Sequence, residues 1–377
     1  MKLIDRLSTV TDRLGRGVQD YTDGFRSQDV RRLFGEDARH AYRVLTRDRT
    51  GEPEPNNRVR RFLHRTKVVF LGMSYKLAPA RRLLFAASIV MAVLGLIQVR
   101  AMAAGAEVNI GSSPVWFLGS VAGLTFLLAL ELVDRILVRD ELEVARQLQR
   151  DLLPSVAPPV PGYAFAQSYR TANEIGGDYY DFIPLPDGRL VIVAGDASGH
   201  GMAAGLVMAI ANAAIKLAVD IDPTPDRVAS LVNRALCRTG DRRAFMSLFC
   251  ALLDPDTGSI RYVCAGHPFP LLRDPSGAIS ELGRGAFPLG IRDPLPLTME
   301  STVLEPGGTL LIYSDGLPEA TGPAGAAFGF DRVQALLAPG GAPGEIHDRL
   351  LQALDHHRCD APLGDDVSLV VVGRPAG

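Results

Sequence analysis

Two runs of apolar residues stand out in the first half of the chain. Residues 83–99 have only Ser88 and Gln98 as polar members, and residues 114–130 contain no charged side chain. A helix needs about 17–25 apolar residues to cross the hydrocarbon layer of a membrane. The two runs therefore predict a hairpin of two transmembrane helices, within a membrane segment at 81–133. The alternative is a pair of buried helices in a soluble core.

The charges around this hairpin predict its orientation. Basic residues stand before the first run and after the second, whereas the connector 101–113 has no Lys or Arg; the flanking residues are Lys76, Arg81, Arg82, Arg135 and Arg139. Positive charge near the ends of membrane helices favours the cytoplasmic side. We therefore expect a multi-pass protein of the inner (cytoplasmic) membrane, with the N- and C-termini both in the cytoplasm.

The region before the hairpin is basic. Residues 1–82 hold 19 Lys and Arg against 10 Asp and Glu, and the rest holds 21 against 32, so the net charge of −2 conceals an asymmetry. Residues 58–71 mix basic and apolar positions as an interfacial helix does, and each basic residue near an anionic leaflet adds about 1 kcal/mol. Arginine clusters also suit nucleic-acid phosphates. Because the predicted membrane spans are so close, we favour lipid over nucleic acid as the partner of a cytoplasmic region 1–80.

A helix is predicted directly after the second span, at residues 134–153. Its apolar positions recur at intervals of three and four and form one stripe: Val138, Leu142, Ala145, Leu148 and Leu152. Pro154 ends it, which gives a linker or stalk at 134–158. Two heptads are too few to establish a coiled coil. A homodimer through this helix and simple packing against the next domain both stay open. Since only this helix joins the membrane segment to the rest, we expect regulation to act through it.

Residues 159–377 have the pattern of a separate α+β domain. Short β-rich runs are joined by tight turns such as 186–188, 254–258 and 274–277, and helical stretches are predicted at 202–220, 225–239 and 343–357. Strands that follow one another through tight turns favour antiparallel sheets, with the helices in separate layers. The four cysteines have no metal-ligand or disulfide spacing, so we interpret them as reduced thiols.

Aspartates lie at the predicted ends of several strands, each next to or near glycine. These are Asp178, Asp196, Asp315 and the pair Asp365-Asp366. Carboxylates that converge at buried strand ends repel one another unless cations lie between them. Ligand sets made only of oxygen favour Mg²⁺ or Mn²⁺ over zinc. Each Asp-Gly pair taken alone is equally well explained as a turn, but four together predict a metal site.

The segments that carry these aspartates resemble a known family. They are 152–154, 175–182 (Ile-Gly-Gly-Asp-Tyr-Tyr-Asp-Phe), 195–204, 265–268, 311–320 and 364–368. In this order, over residues 141–373, they are similar to the PPM-type, protein phosphatase 2C-like, metal-dependent Ser/Thr phosphatases of the bacterial RsbU/SpoIIE branch. The resemblance implies an α+β fold, a four-layer α-β-β-α sandwich, with a site for two Mn²⁺ or Mg²⁺ ions at one edge.

The resemblance also implies a role for each site residue. Asp196 bridges both ions, and the carbonyl of Ala197 completes the shell of the second ion. Asp315 and Asp365 hold the first ion, and Asp178 binds the second directly or through water. These residues are all retained, so the resemblance implies an active enzyme.

Three further residues are weaker candidates for substrate binding or for orienting loops. His200 and His267 follow a predicted ligand and a predicted strand, and each either orients its loop or takes part in proton transfer. Arg170 is a candidate for contact with the substrate phosphate. Asp366 is a less favoured substitute for Asp365.

The sequence thus predicts a membrane-anchored protein-serine/threonine phosphatase whose metal-activated water hydrolyses phosphoserine or phosphothreonine. By resemblance, the substrate is a phosphorylated regulatory protein of the anti-sigma-factor-antagonist type. The alternative is a membrane-tethered module that binds a phosphoprotein without turnover. A transport function is disfavoured because neither predicted span carries a charged residue.

Overall fold

The computed structural model describes residues 58–103, 113–239, 244–323, 325–359 and 361–376. Residues 1–57 and the connector 104–112 lie outside the described residues, and with them most of the predicted cytoplasmic region and of the external loop. The chain divides into two compact units, Met1–Ile136 and Leu137–Gly377.

Within its described residues, the first unit has the helices α1 (Arg58–Lys76), α2 (Pro79–Ala103) and the start of α3 (Ser113–Leu152). Helix α3 is continuous over 40 residues and ends in the second unit. The sequence predicts a span at 114–130 and a separate helix at 134–153; the structure joins them because residues 131–133 include no glycine or proline that would break a helix. The predicted end at Pro154 is confirmed within two residues.

Small residues let α2 and α3 approach closely within the first unit. A Cβ added at Gly123 would meet the hydroxyl of Ser88, and one added at Gly119 would lie 2.8 Å from the sulfur of Met91. Near the end of this contact, Arg81 forms ion pairs with two acidic residues of α3, Glu131 at 2.9 Å and Asp134 at 2.5 Å. Close packing at glycine is a usual way for membrane helices to associate.

Two of the described helices are long and apolar enough to cross a membrane, judged by length and composition. They are Pro79–Arg100, which contains the first predicted span, and Met202–Ile221. The second belongs to the other unit, where its inner face packs on a sheet. The predicted span 114–130 is not selected by this criterion, yet its large apolar side chains point outward: Val115, Leu118, Val121, Phe126 and Leu128 are exposed.

The second unit contains two five-stranded sheets in which every strand pair is antiparallel. One sheet has the order β1-β10-β9-β6-β7, and the other β2-β3-β4-β5-β8. The strands are β1 (Ala164–Arg170), β2 (Asp178–Pro184), β3 (Leu190–Ala197), β4 (Met246–Leu253), β5 (Ser259–Ala265), β6 (Leu271–Arg273), β7 (Ile279–Glu281), β8 (Glu300–Val303), β9 (Thr309–Tyr313) and β10 (Val367–Gly373).

Five helices accompany the sheets: α4 (Met202–Ile221), α5 (Pro225–Cys237), α6 (Gly316–Glu319), α7 (Phe330–Leu337) and α8 (Pro343–Arg358). The bounds of α4, α5 and α8 agree with the three predicted helical stretches to within two residues. The four cysteines, all of them described, are free thiols as predicted.

Alternating side chains divide the unit into four layers. In β3, Val191 and Val193 pack with α4 and α5, whereas Ile192 faces the core between the two sheets. In β10, Val370 faces the same central core, and Val371 packs with α7 and α8. Such alternation follows from the two-residue period of a strand. The predicted α-β-β-α sandwich is therefore confirmed.

Candidate active site

Two of the predicted site residues face each other across a strand pair. Asp178 begins β2, Asp196 stands one residue before the end of β3, and the two are register partners. Directly opposed residues of an antiparallel pair point to the same side of the sheet with Cβ atoms about 4.5–5.5 Å apart. The antiparallel pairing of β2 and β3 therefore brings together two carboxylates that are 18 positions apart in the sequence.

Burial and repulsion act on both carboxyl groups. Asp178 is fully buried, and burial followed by the charge of Asp196 raises its pKa well above the usual value, although the neighbouring hydroxyl groups of Ser314 and Ser368 act in the opposite direction. Burial, then the charges of Asp315, Asp365 and Asp366, raises the pKa of Asp196 to about 7. Both shifts indicate carboxylates that lack a compensating positive charge.

The other sheet supplies Asp315 and Asp365 to the same cluster. Asp315 lies two residues after β9, and burial, then the charge of Asp365, raises its pKa. Asp365 is exposed and stands two residues before β10, where its Oδ1 accepts the N–H of Asp366 at 2.8 Å. Because β9 and β10 are neighbours in one sheet, these two strand ends lie side by side.

Asp366 has a different environment from Asp365. Its carboxylate is buried and accepts two backbone N–H groups, from Ala172 at 2.8 Å and Gly177 at 2.6 Å. A Cβ at Gly176 would collide with this carboxylate, so glycine is required there. Asp366 thus holds the segment that leads into Asp178, which leaves the exposed Asp365 as the freer carboxylate of the pair.

The backbone around Ala197 is equally close-packed. Its N–H donates to the carbonyl of Gly177 at 3.1 Å. A side chain on Gly177 would approach the carbonyl oxygen of Ala197 to 2.7 Å and the carboxylate of Asp196 to 2.9 Å. On the opposite sheet, a Cβ at Gly316 would collide with the carbonyl of Asp366. These glycines allow the two sheets to bring their aspartates to one edge.

The chemistry of this cluster fits a hard divalent cation. Asp178 Oδ2 and Asp315 Oδ1 are buried and have no hydrogen-bond partner among the residues that the structure describes. Unpaired buried carboxylate oxygens are unfavourable unless a cation or a proton binds them. Yet among the described residues no group of three or more His, Cys, Asp or Glu side chains is arranged as a metal site. The electrostatics therefore favour cation binding, while the carboxylates do not form a closed ligand set.

The three weaker candidates lie in unlike surroundings. His200 is exposed in the turn that precedes α4. His267 is buried, its Nδ1 lies 3.0 Å from Ser247 Oγ, and burial lowers its pKa to about 3. Arg170 donates to Asp355 of α8 at 2.6 Å. His267 is therefore neutral at physiological pH, and the guanidinium of Arg170 already has a carboxylate partner.

Sequence reasoning missed Gln149 on helix α3. Its Nε2 donates to the carbonyl of Gly176 at 2.5 Å, and its Oε1 accepts the N–H of Gly176 at 3.1 Å. The side chain is buried and lies in the last turn of a helix that runs from the first unit. The sequence signal for this contact is the position of Gln149, a polar residue next to the apolar stripe that includes Leu148 and Leu152.

The serines around Asp178 were also missed. Ser314 Oγ donates to the carbonyl of Asp366 at 3.2 Å and accepts the N–H of Ser368 at 2.9 Å. Both serines are buried. They connect the ends of β9 and β10 below the aspartates, and they stand within the segments 311–320 and 364–368 that carry the family resemblance.

Comparison with solved structures defines the class of fold. The SiaA-PP2C domain of Pseudomonas aeruginosa superimposes with a TM-score of 0.56 at 21% identity, over 64% of this chain and 98% of that one. The RsbU and RsbW domains of Rv1364c from Mycobacterium tuberculosis give a TM-score of 0.50 at 30% identity, over 60% of this chain and 63% of that one. The second unit therefore has the PP2C-like fold.

The family described as Stage II sporulation protein E (SpoIIE) matches residues 186–375, half of the chain. The chain belongs to the SpoIIE family.

Curated relatives extend the match. Protein IcfG of Synechocystis is 26% identical over 276 residues, 66% of this chain and 43% of the relative. The phosphoserine phosphatases RsbP and RsbU of Bacillus subtilis are 26% identical over 237 residues and 27% over 187 residues. These two matches cover 62% and 48% of this chain, and 57% and 54% of the relatives. The chain thus spans about half the length of the curated relatives it matches.

Proposed function

We propose that this protein is a membrane-anchored, metal-dependent protein-serine/threonine phosphatase that removes phosphate from a regulatory protein. The observation that carries the proposal is the cluster of mutually repelling aspartates, contributed by both sheets, with two buried carboxylate oxygens that lack partners. Membership of the SpoIIE family and the names of RsbP and RsbU, both phosphoserine phosphatases, support the reaction class.

In this proposal the aspartates hold two Mn²⁺ or Mg²⁺ ions. Asp196 would be shared between the ions, Asp315 and Asp365 would serve the first, and Asp178 with the carbonyl of Ala197 would serve the second. When bound, such ions lower the pKa of a water molecule and offset negative charge on phosphoryl oxygens. Because a bound cation would offset the repulsion that raises these pKa values, Asp178 and Asp196 would be ionised in the loaded protein.

The remaining residues of the site position these ligands or transfer protons. Asp366 and Gln149 hold the backbone at residues 176 and 177 that leads to Asp178. His200 is exposed and close in sequence to Asp196, so it is the better candidate to give a proton to the departing serine or threonine oxygen. The buried, neutral His267 is unsuited to that task. Arg170 meets substrate phosphate only if its ion pair with Asp355 opens.

The direct test uses the purified full chain in detergent and a phosphoserine protein as substrate. We expect release of inorganic phosphate with Mn²⁺ or Mg²⁺ and none with EDTA. Asp196→Asn removes the shared ligand and is expected to abolish turnover. The matched control is Asp187→Asn, which changes an exposed aspartate of the β2–β3 turn that pairs with Arg189. Equal activity of both variants would refute the assignment.

One observation favours the alternative of a phosphoprotein-binding module without turnover. The described carboxylates are not arranged as a closed metal site, and a non-catalytic domain would not need one. Calorimetry with Mn²⁺ and with a phosphoprotein separates the two functions: binding of both without phosphate release would support the module. By resemblance, the substrate in the enzymatic case is an anti-sigma-factor antagonist or a similar regulatory protein.

Membrane anchoring is the second part of the proposal. In it, residues 81–133 form the hairpin, with α2 and residues 114–130 as the two spans, and both termini lie in the cytoplasm. The exposed apolar side chains of the first unit support it; examples are Leu83, Leu96, Leu118 and Leu128. Helix α1 would then lie at the anionic leaflet. Alkaline carbonate extraction tests this: the chain should stay in the membrane pellet, and release into the supernatant would contradict it.

The stalk is proposed as the regulatory element between a membrane segment and a phosphatase domain at 159–377. Val144 and Leu148 are exposed on α3, which supports a homodimer through residues 134–153, and Gln149 of the same helix holds Gly176. Inserting three or four residues near residue 140 would rotate one part of the helix against the other. We expect a changed phosphatase rate, and cross-linking in membranes would report the dimer.

A further inference from the structure

A hydrogen-bond chain runs behind Asp196 from its backbone to a buried histidine. The N–H of Asp196 donates to Ser247 Oγ at 3.1 Å, and this oxygen lies 3.0 Å from His267 Nδ1. Asp196 and Ser247 are register partners on β3 and β4. These hydrogen bonds therefore run from β3 to β4 at the end of β3 that carries Asp196. Asp178 lies on β2, the neighbour of β3 on its other side.

Ser247 Oγ can hold both contacts at once. It accepts the N–H of Asp196 with one lone pair, which leaves its proton and its second lone pair for the contact with His267 Nδ1. Burial lowers the pKa of His267 to about 3, which keeps the ring neutral. A neutral ring carries one proton, so Nδ1 is a partner of Ser247 Oγ in either tautomer, as acceptor or as donor.

The histidine itself is held firmly in place. Its carbonyl accepts the Sγ–H of Cys264 at 3.3 Å. Gly266, directly before it, has φ +71°, and a Cβ there would lie 2.5 Å from Cγ of Pro288. Residues other than glycine rarely adopt this conformation. The backbone at residues 266–267 therefore has little freedom to move, and it places the imidazole as a hydrogen-bond partner of Ser247.

We propose that Ser247 and His267 are positioning residues that, through the Asp196 backbone, keep the end of β3 in the conformation that binds divalent cations. The inference rests on the proposed function, because it takes Asp196 as a metal ligand. Without Ser247 Oγ, the N–H of Asp196 loses its side-chain acceptor and keeps only its pairing with β4 in the sheet, so the strand end is held less firmly. Groups that orient metal ligands by hydrogen bonds typically change metal affinity about 10–100-fold when removed.

The test measures Mn²⁺ binding to the full chain in detergent by the electron paramagnetic resonance signal of free Mn²⁺. Ser247→Ala and His267→Leu remove the two polar contacts, and each is expected to weaken binding about 10-fold or more. Ser247→Thr keeps the oxygen, and His267→Asn provides an acceptor near the position of Nδ1. These matched variants are expected to stay within about threefold of the wild type, because the contact itself is retained.

A second readout needs no metal. Amide hydrogen exchange at the end of β3 in the metal-free protein should be faster in Ser247→Ala and unchanged in Ser247→Thr, because only the former loses the side-chain acceptor of the Asp196 N–H. Far-ultraviolet circular dichroism verifies that each variant is folded. If one position does not tolerate change, the pair of variants at the other position still decides the question.

Two results would overturn the positioning role while leaving the phosphatase proposal intact. One is wild-type Mn²⁺ affinity in Ser247→Ala and His267→Leu. The other is an equal loss of affinity in the apolar and the polar variants, which would mean that these side chains act through packing alone. Absence of Mn²⁺ binding in the wild type would overturn the proposed function, and this inference with it.

Discussion

Replacing Gln149 by leucine should uncouple the stalk helix from the aspartate site. The substitution keeps the size of a buried side chain and removes both of its hydrogen bonds to Gly176. The N–H and the carbonyl of Gly176 are then left in a buried position without these partners. An unsatisfied buried polar group costs about 1–3 kcal/mol.

The expected size of the effect follows from this cost. Residues 176–177 lead directly into Asp178, so a shift that relieves Gly176 displaces this carboxylate from Asp196. If 1.4–2.8 kcal/mol favour the displaced conformation, about 10–100-fold fewer molecules hold the aspartates together. We therefore expect Mn²⁺-dependent phosphatase activity to fall about 10–100-fold, with a similar loss of apparent Mn²⁺ affinity.

The matched control is Gln147→Leu on the same helix. Gln147 is exposed, and its Nε2 donates to Asp151 at 2.9 Å, a contact between exposed side chains. Activity on p-nitrophenyl phosphate and Mn²⁺ titrations of the full chain compare the two variants, and circular dichroism verifies folding. Equal activity of Gln149→Leu and Gln147→Leu would refute the idea that the stalk helix holds the metal-binding segment.

Three further predictions concern charge, helix packing and the stalk. Because the pKa of Asp196 is raised to about 7 in the folded metal-free protein, the free energy of unfolding should rise as the pH is lowered from 7 towards 4, where folding takes up a proton. Urea unfolding without metal should show this slope, and Asp196→Asn should reduce it. Gly123→Leu should force α2 and α3 apart at Ser88, lowering the yield of folded chain in detergent, whereas Ala122→Leu on the exposed side should not. A four-residue insertion after Asp140 should change the phosphatase rate, and an unchanged rate would indicate a passive tether.

Much of the second unit could be predicted from local patterns. Strands such as 309–313 are short apolar runs bounded by turns, and α8 begins at a proline and ends in basic residues. The aspartates were recognisable because each stands at the end of such a strand near glycine. Their convergence depends on sheet order, which the sequence does not state, and came from the family resemblance.

The residues that hold the aspartates could not be predicted. Gln149 contacts Gly176 over a separation of 27 positions, and Ser247 contacts His267 over 20. Neither contact leaves a periodic pattern, because one polar side chain meeting a distant backbone group is a tertiary event. The preference for Asp365 over Asp366 came from the family resemblance, and the contact of Asp366 with the N–H of Gly177 is a tertiary feature of the same kind.

The continuity of α3 was missed for another reason. Hydrophobicity ends near residue 131, but a helix continues through a change of polarity when the backbone has no reason to stop. Leu132 and Val133 are compatible with a helix, and the next breaker is Pro154. Polarity indicates where a span meets water, and it does not indicate where the helix ends.

The central claim is that carboxylates from both sheets form one divalent-cation site. Mn²⁺ titration of the full chain, monitored by electron paramagnetic resonance, tests it most directly when wild type, Asp196→Asn, Asp315→Asn and Asp187→Asn are compared. We predict that changing either sheet's aspartate weakens binding at least about 10-fold, while the exposed Asp187 has no effect. Mn²⁺ binding that is unaffected by both Asp196→Asn and Asp315→Asn would contradict the account.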